Sequence, residues 1–139
     1  MPTFFLSKSN PSYDPISTPV DVETQAAHSI YLAKSGIRGI VIFGSTGEAV
    51  HLTNAERSKV LKFVRSELSK AGFEDYPLIA GTATQNIEET AELLKQSKEN
   101  GAQWGLCLAP GYFASAVGQE GIIEWYKAVA DRSPIPILM

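Results

Sequence analysis

The chain has 139 residues, 44% of them hydrophobic, which suits one ordinary folded domain with a sizeable core. A formal net charge of -3 and a sequence pI near 5.4 leave no basic excess to attract phosphate backbones or anionic lipid surfaces. Nucleic-acid and membrane partners are therefore not expected, and no apolar run approaches the roughly 20 residues of a membrane helix.

Along the chain, Phe4 to Leu6 is a short apolar run expected to form a first strand, and Ser7 to Pro19, with three prolines and four serines, is a loop. Asp21 is placed to cap a helix running to about Ser35, with Val22, Ala26, Ile30 and Ala33 on one face and Gly36 just past its end. A buried strand is expected at Ile37 to Phe43. Thr53 and Glu56 have capping-box spacing and open a helix that turns Val60, Leu61, Val64 and Leu68 inward before Gly72 ends it. Leu78 to Gly81 is the next strand. Asn86 and Glu89 repeat the cap chemistry for a helix with Ile87, Ala91 and Leu94 as its buried stripe, closed by Asn100-Gly101. Trp104 to Leu108 follows as a strand. A fourth helix near Gln119 to Asp131 carries Ile122, Trp125, Tyr126 and Val129 on one side, and Ile135 to Met139 begins a further apolar run.

Short apolar strands alternating with amphipathic helices signal parallel βαβ units, because parallel neighbours need a crossover and the helix covers the sheet. The class is α/β. Units of about thirty residues suit a (β/α)8 barrel, of which about five strands and four helices would be half, since a whole one needs about 250 residues. A small doubly wound sheet fits the same pattern.

In both architectures ligands bind beyond the carboxyl ends of the strands. Three segments lie there: Gly44-Ser45-Thr46-Gly47-Glu48, Gly81-Thr82-Ala83-Thr84, and Ala109-Pro110-Gly111-Tyr112-Phe113. In the first, two glycines let backbone N–H groups converge on a small anion while the Ser45 and Thr46 hydroxyls add donors. No Lys or Arg lies within it, and its spacing matches neither the phosphate loop nor the dinucleotide fingerprint, so a monoanionic carboxylate suits it better than a phosphate. A tight turn with no ligand would use the same residues.

Gly44-Ser45-Thr46-Gly47-Glu48, with Leu52 and Glu56-Arg57 downstream, resembles the signature of the dihydrodipicolinate synthase and N-acetylneuraminate lyase family of class I pyruvate aldolases. The resemblance continues through Ala80-Gly81, Glu89-Thr90, Gly101-Ala102, Pro110 with Tyr112-Phe113, and Ser133-Pro134-Ile135-Pro136, covering essentially the whole chain. Gly47 to Leu52 and Ser133 to Leu138 look most like fungal members that cleave 2-keto-3-deoxy sugar acids, and hydroxy-oxoglutarate aldolases resemble the chain almost as well.

The resemblance implies a (β/α)8 TIM barrel of which residues 1–139 are the N-terminal part, and a lyase acting on pyruvate or another 2-oxo acid through an imine, without metal or organic cofactor. It implies that Gly44, Ser45 and Thr46 hold the pyruvate carboxylate, that the Ser45 hydroxyl belongs to a proton relay, and that Tyr112 sits in an aromatic pair closing the pocket near a subunit interface. A homo-oligomer, a tetramer built from dimers, is implied as well. Phe113 departs from the pattern, because dihydrodipicolinate synthases place there, unless the alignment shifts by one, a tyrosine that passes its hydroxyl to the neighbouring subunit's relay. Family members also continue past the equivalent of Ile137-Leu138 with a Tyr-Asn pair and, one strand later, the lysine nucleophile. Lys34, Lys59, Lys62, Lys70, Lys95, Lys98 and Lys127 fall on expected helices and Lys8 in the first loop, none at a strand's carboxyl end. A catalytically incomplete barrel fragment that binds carboxylates or pairs with itself is the competing reading.

The remaining residues have plainer readings. Cys107, the only cysteine, reads as a buried strand thiol, and with no signal peptide or import segment in Met1 to Asn10 a cytosolic, reducing compartment is expected. His28 and His51 are too isolated to make a metal site with Cys107. Glu88, Glu89 and Glu92 form a solvated face near a helix N-terminus. Glu48 is expected to tie down the glycine-rich loop, and Trp104, Trp125 and Tyr126 to serve helix–sheet packing.

Overall fold

The computed structural model describes residues 1–112 and 115–139. Four strands, β1 (Ile40–Ile42), β2 (Leu78–Thr82), β3 (Trp104–Cys107) and β4 (Ile137–Leu138), alternate with helices α1 (Val22–Lys34), α2 (Asn54–Lys70), α3 (Ile87–Glu99) and α4 (Gln119–Arg132). The strands pair in parallel in the order β1-β2-β3-β4. A doubly wound sheet reverses its strand order at a switch point, and this sheet does not; sequential order is that of a barrel wall.

Burial follows the pleat. Ile40, Ile42, Leu78, Ala80, Gly105 and Cys107 are buried, whereas Val41, Ile79 and Leu106, which alternate with them, are half-exposed and Trp104 and Leu138 are exposed. Register places Val41 beside Ile79 and Ile79 beside Trp104, and Leu106 beside Gly81 and Leu138, so these residues share the uncovered face. The helices cover the other face. There Val60, Leu61, Val64 and Leu68 of α2 join Ile40, Ile42, Leu78 and Ala80 in one core, and Leu94, Cys107, Trp125, Val129 and Ile135 form a smaller one. Full burial of each large aliphatic side chain contributes roughly 1.5–3 kcal/mol.

The helix ends follow local chemistry. Asp21 accepts from the Thr24 amide at 2.9 Å, and Thr53 and Glu56 form the reciprocal capping box at the start of α2. Asn86 caps α3, but Glu89 turns away to accept from the Thr84 hydroxyl at 2.6 Å. Gly36 and Gly72, both at φ 87°, end α1 and α2 in the left-handed conformation that a side chain would oppose.

Several expectations need correction. Phe4 to Leu6 adds no strand to the sheet: Phe5 makes only an antiparallel bridge to Val20, and this local pairing uses the backbone groups a sheet neighbour would need. The described sheet therefore has four strands where about five were expected. Trp104 is 40% exposed because its place in the pleat puts it on the uncovered face. On α1, Ile30 is only half-buried while Gln25 and Ser29 are buried. Gln25 accepts from the Phe4 amide at 3.0 Å, so its burial leaves no polar group stranded there. On α3, Thr90, Leu93, Leu94 and Ser97 are buried, with Ile87 and Ala91 half-buried; the Thr90 hydroxyl is satisfied by donating to the Asn86 carbonyl at 2.7 Å.

Candidate functional site at the carboxyl ends of the strands

Directly after β1 the chain leaves the sheet at Phe43, whose φ of 63° is left-handed and costly for a bulky residue. A short 3-10 turn, Ser45–Gly47, follows, then a second, Ala49–His51, with Glu48 between them at φ 51°. The Gly47 amide donates to the Gly44 carbonyl at 2.9 Å and the Glu48 amide to the Ser45 carbonyl at 3.2 Å. From outside the loop, the Thr3 hydroxyl donates to the Gly47 carbonyl at 2.6 Å.

These bonds, and not the Glu48 carboxylate, tie the loop down. Glu48 is exposed and its carboxylate makes no hydrogen bond with the described residues, contrary to the role expected for it. At its left-handed position Glu48 instead lines a surface groove on the side of Thr18, His51 and Thr53.

Between this loop and the ends of β2 and β3 lies a cavity of about 230 Å³ lined by Phe43, Gly44, Ser45, Ala49, Val50, Thr82, Ala83 and Leu108. Among the described residues, no charged side chain lines it. Ser45 and Thr46 are exposed on the first turn, where opening amides have no partner inside the turn. The arrangement offers neutral donors beside an apolar wall, suited to a small monoanion with a short carbon skeleton.

Gly44 and Ser45 thus line one cavity; Thr46 lies beside them on the same turn without lining it. Tyr112 is 81% exposed and does not line the cavity, and its backbone N–H donates to the Gln85 side chain at 2.9 Å. The Gln85 backbone carbonyl accepts from the Trp125 indole at 2.9 Å, linking the loops after β2 and β3 to α4. Phe113 lies outside the described residues. All eight lysines are exposed, seven on α1 to α4 and Lys8 in the first loop.

Sequence reasoning gave Arg57 no role of its own. It opens the buried stripe of α2 that continues through Val60, Leu61, Val64 and Leu68, and an arginine in an otherwise apolar stripe was the available signal. The residue is only 5% exposed, and its guanidinium lies 4.6 Å from the Phe43 ring centroid and donates through Nη2 to the Gly81 carbonyl. Nη1 has no hydrogen-bond partner among the described residues. Burial lowers its pKa to about 10, so the group remains charged at neutral pH. Cys107 is a buried free thiol whose pKa burial raises, against a weaker opposing hydrogen bond from Thr82.

A one-sided parallel sheet in sequential order, with a hydroxyl-bearing glycine loop after its first strand, defines part of a (β/α)8 barrel with a candidate site at its carboxyl-terminal rim. Residues 13–139 match the dihydrodipicolinate synthetase family, and the chain belongs to it. It is 45% identical over 128 residues to an L-threo-3-deoxy-hexylosonate aldolase of Aspergillus niger, covering 91% of this chain and 38% of that protein. It is 42% identical over 120 residues to a protein of Emericella nidulans named "Probable 4-hydroxy-2-oxoglutarate aldolase, mitochondrial", covering 86% and 39%. Among solved structures, a dihydrodipicolinate synthase of Bacillus anthracis is similar with a TM-score of 0.78 at 30% identity, covering 99% of this chain and 42% of that one. A prophage protein of the same family from E. coli K12, in complex with pyruvate, gives 0.78 at 26%, covering 98% and 41%. The chain thus spans about two fifths of the length of the curated relatives it matches. Among the described residues, no helix is long and apolar enough to cross a membrane.

Proposed function

We propose that residues 1–139 supply the N-terminal part of a single (β/α)8 barrel whose whole is a pyruvate-type class I aldolase. Its substrate class is a 2-keto-3-deoxy sugar acid or a 4-hydroxy-2-oxoglutarate-like acid. The observation that carries this reading is the uncharged cavity at the carboxyl ends of β1 to β3, bounded by Gly44 and Ser45 and walled by Ala83 and Leu108. Such a site holds a 2-oxo acid by its carboxylate and keeps its short chain on an apolar surface.

In the reaction, a lysine amine condenses with the 2-oxo group and releases water, and the imine then accepts the electron pair of the breaking C3–C4 bond while the C4 hydroxyl loses its proton. None of the eight lysines of this segment lies at a strand's carboxyl end, so the nucleophile is assigned to another part of the whole barrel. The role assigned to this segment is to bind and orient the carboxylate with Gly44, Ser45 and Thr46 and to carry a proton through the Ser45 hydroxyl. Tyr112 is assigned to the pocket's closure in the assembled protein. Assembly as a tetramer built from dimers and a cytosolic location complete the reading.

The test is to trap the full-length protein with pyruvate and borohydride and to assay pyruvate release from both substrate classes. A single stoichiometric adduct together with pyruvate release is expected. An untrappable protein that releases no pyruvate would end the aldolase reading and favour the carboxylate-binding fragment.

A further inference from the structure

We infer that Arg57 is a positioning residue for the carboxylate cradle: from α2 it holds Phe43 and Gly81 together, and so sets the direction in which Ser45 and Thr46 leave β1. This rests on the reading of Gly44 to Thr46 as the carboxylate site.

Residues of β1 alternate between the helix-covered and the uncovered face, with Val41 on the uncovered one. Continued by one step, the pleat would put Phe43 beside Val41. Instead Phe43 is 1% exposed and its ring lies under the Arg57 guanidinium, on the helix side. The left-handed φ of Phe43 makes this turn possible, and it lays the Phe43 carbonyl directly over Gly81. Gly81 accepts that approach because it has no Cβ, and the Gly81 carbonyl takes the Nη2 hydrogen bond of Arg57. One guanidinium therefore contacts both strand ends that bound the cavity, through a cation–π contact on one and a hydrogen bond on the other. Stability does not account for this placement. The guanidinium has no carboxylate partner in the described ion pairs and leaves Nη1 unpaired, a costly state for a charge so deeply buried. A left-handed phenylalanine persists only where its surroundings hold it, and Arg57 is the group stacked on its ring.

The test uses the full-length protein and measures, for each variant, the pyruvate concentration that half-saturates borohydride trapping and the trapping rate at saturation. Thr46→Val, Arg57→Met, the double variant and Arg57→Lys are compared. Thr46→Val is expected to weaken pyruvate binding about tenfold by removing a hydrogen bond to a charged group. Arg57→Met is expected to weaken it to a similar degree with the rate at saturation changed less than twofold, Arg57→Lys is intermediate, and the double variant is no weaker than about twice the worse single variant. Unchanged binding in Arg57→Met, or losses that multiply in the double variant, would overturn the inference while leaving the carboxylate site intact. If Thr46→Val itself has no effect, the site reading falls and the inference with it. Where Arg57→Met does not fold, Arg57→Lys and its double variant with Thr46→Val are judged by the same criteria.

Discussion

The Phe43 carbonyl occupies the space that a Cβ on Gly81 would need. The obstacle is backbone, fixed by the left-handed turn at Phe43, and cannot swing aside. Gly105 is also crowded, but by the Leu94 Cδ2 methyl, the end of a flexible side chain. Gly81→Ala is therefore expected to cost more than Gly105→Ala, with overpacking penalties of roughly 1–3 kcal/mol as the scale. Urea unfolding of a soluble chain containing this segment measures both; equal costs would mean that the loop after β1 yields as easily as a leucine rotamer.

Thr53→Ala should destabilise by about 1 kcal/mol, because the Thr53 hydroxyl accepts from the Glu56 amide at 3.2 Å and the Glu56 carboxylate returns a bond to the Thr53 amide at 2.9 Å. The same unfolding experiment reads it. Since α2 also carries Arg57, a loss of pyruvate affinity far beyond the loss of stability would show that the cap matters to the site rather than to the helix alone.

The 139-residue chain by itself should form no reducible imine with pyruvate. Its eight lysines are exposed, seven on α1 to α4 and Lys8 in the first loop, and none lies at the carboxyl end of a strand beside the cavity. Incubation with pyruvate and borohydride followed by intact mass spectrometry checks this. An adduct on one lysine in stoichiometric yield would contradict it.

Cys107 should resist alkylation in the native fold and react readily in urea, a contrast that iodoacetamide and mass spectrometry resolve. Burial raises its pKa, and burial also raises that of Tyr126, whose hydroxyl donates to the Cys107 carbonyl at 2.9 Å. Both groups lose a proton more easily when unfolded. Their contribution to stability is thus complete below the ordinary thiol value of 9.0 and is lost progressively as pH rises above it. Alkaline unfolding that is unchanged in a Cys107→Ala, Tyr126→Phe double variant would remove these groups from the pH dependence.

Expressed alone, the 139-residue chain should self-associate or unfold readily. Val41, Ile79, Leu106, Trp104 and Leu138 leave one face of the sheet apolar and uncovered, and β1 and β4 are its open edges. Size-exclusion chromatography with light scattering and thermal unfolding are the measurements. A soluble monomer with a sharp cooperative transition would require these elements to close into another compact arrangement.

Much of this fold was legible because its signals are local. The spacing of Thr53 and Glu56, the apolar period through Val60, Leu61, Val64 and Leu68, and the glycines after α1, α2 and α3 are properties of a few neighbouring residues, and the structure follows them. The α3 stripe was misjudged because a hydroxyl can be buried when its own helix satisfies it, which no hydrophobic period reveals. The glycine-rich loop could be found as a candidate carboxylate cradle from its residue types and its place after a strand. Its supports could not, since Thr3 and Gly81 reach it from 44 and 38 positions away in the chain.

The sequence by itself determined the order of the four helices and of the strands between them, the capping of three helices, the absence of Lys and Arg from the loop after β1, and the family to which that loop belongs. Only the tertiary structure decided that the strands lie in sequential order with helices on one face, which excludes the doubly wound alternative. It also decided that Phe4 to Leu6 stays out of the sheet, that Trp104 faces outward from the core, and that Arg57, not Glu48, contacts Phe43 and Gly81 beside the glycine-rich loop. The physical reason is the same in each case: periodicity and caps are set by neighbours three or four residues apart, whereas which face is covered, and what a buried guanidinium touches, depend on segments that meet only after the chain has folded.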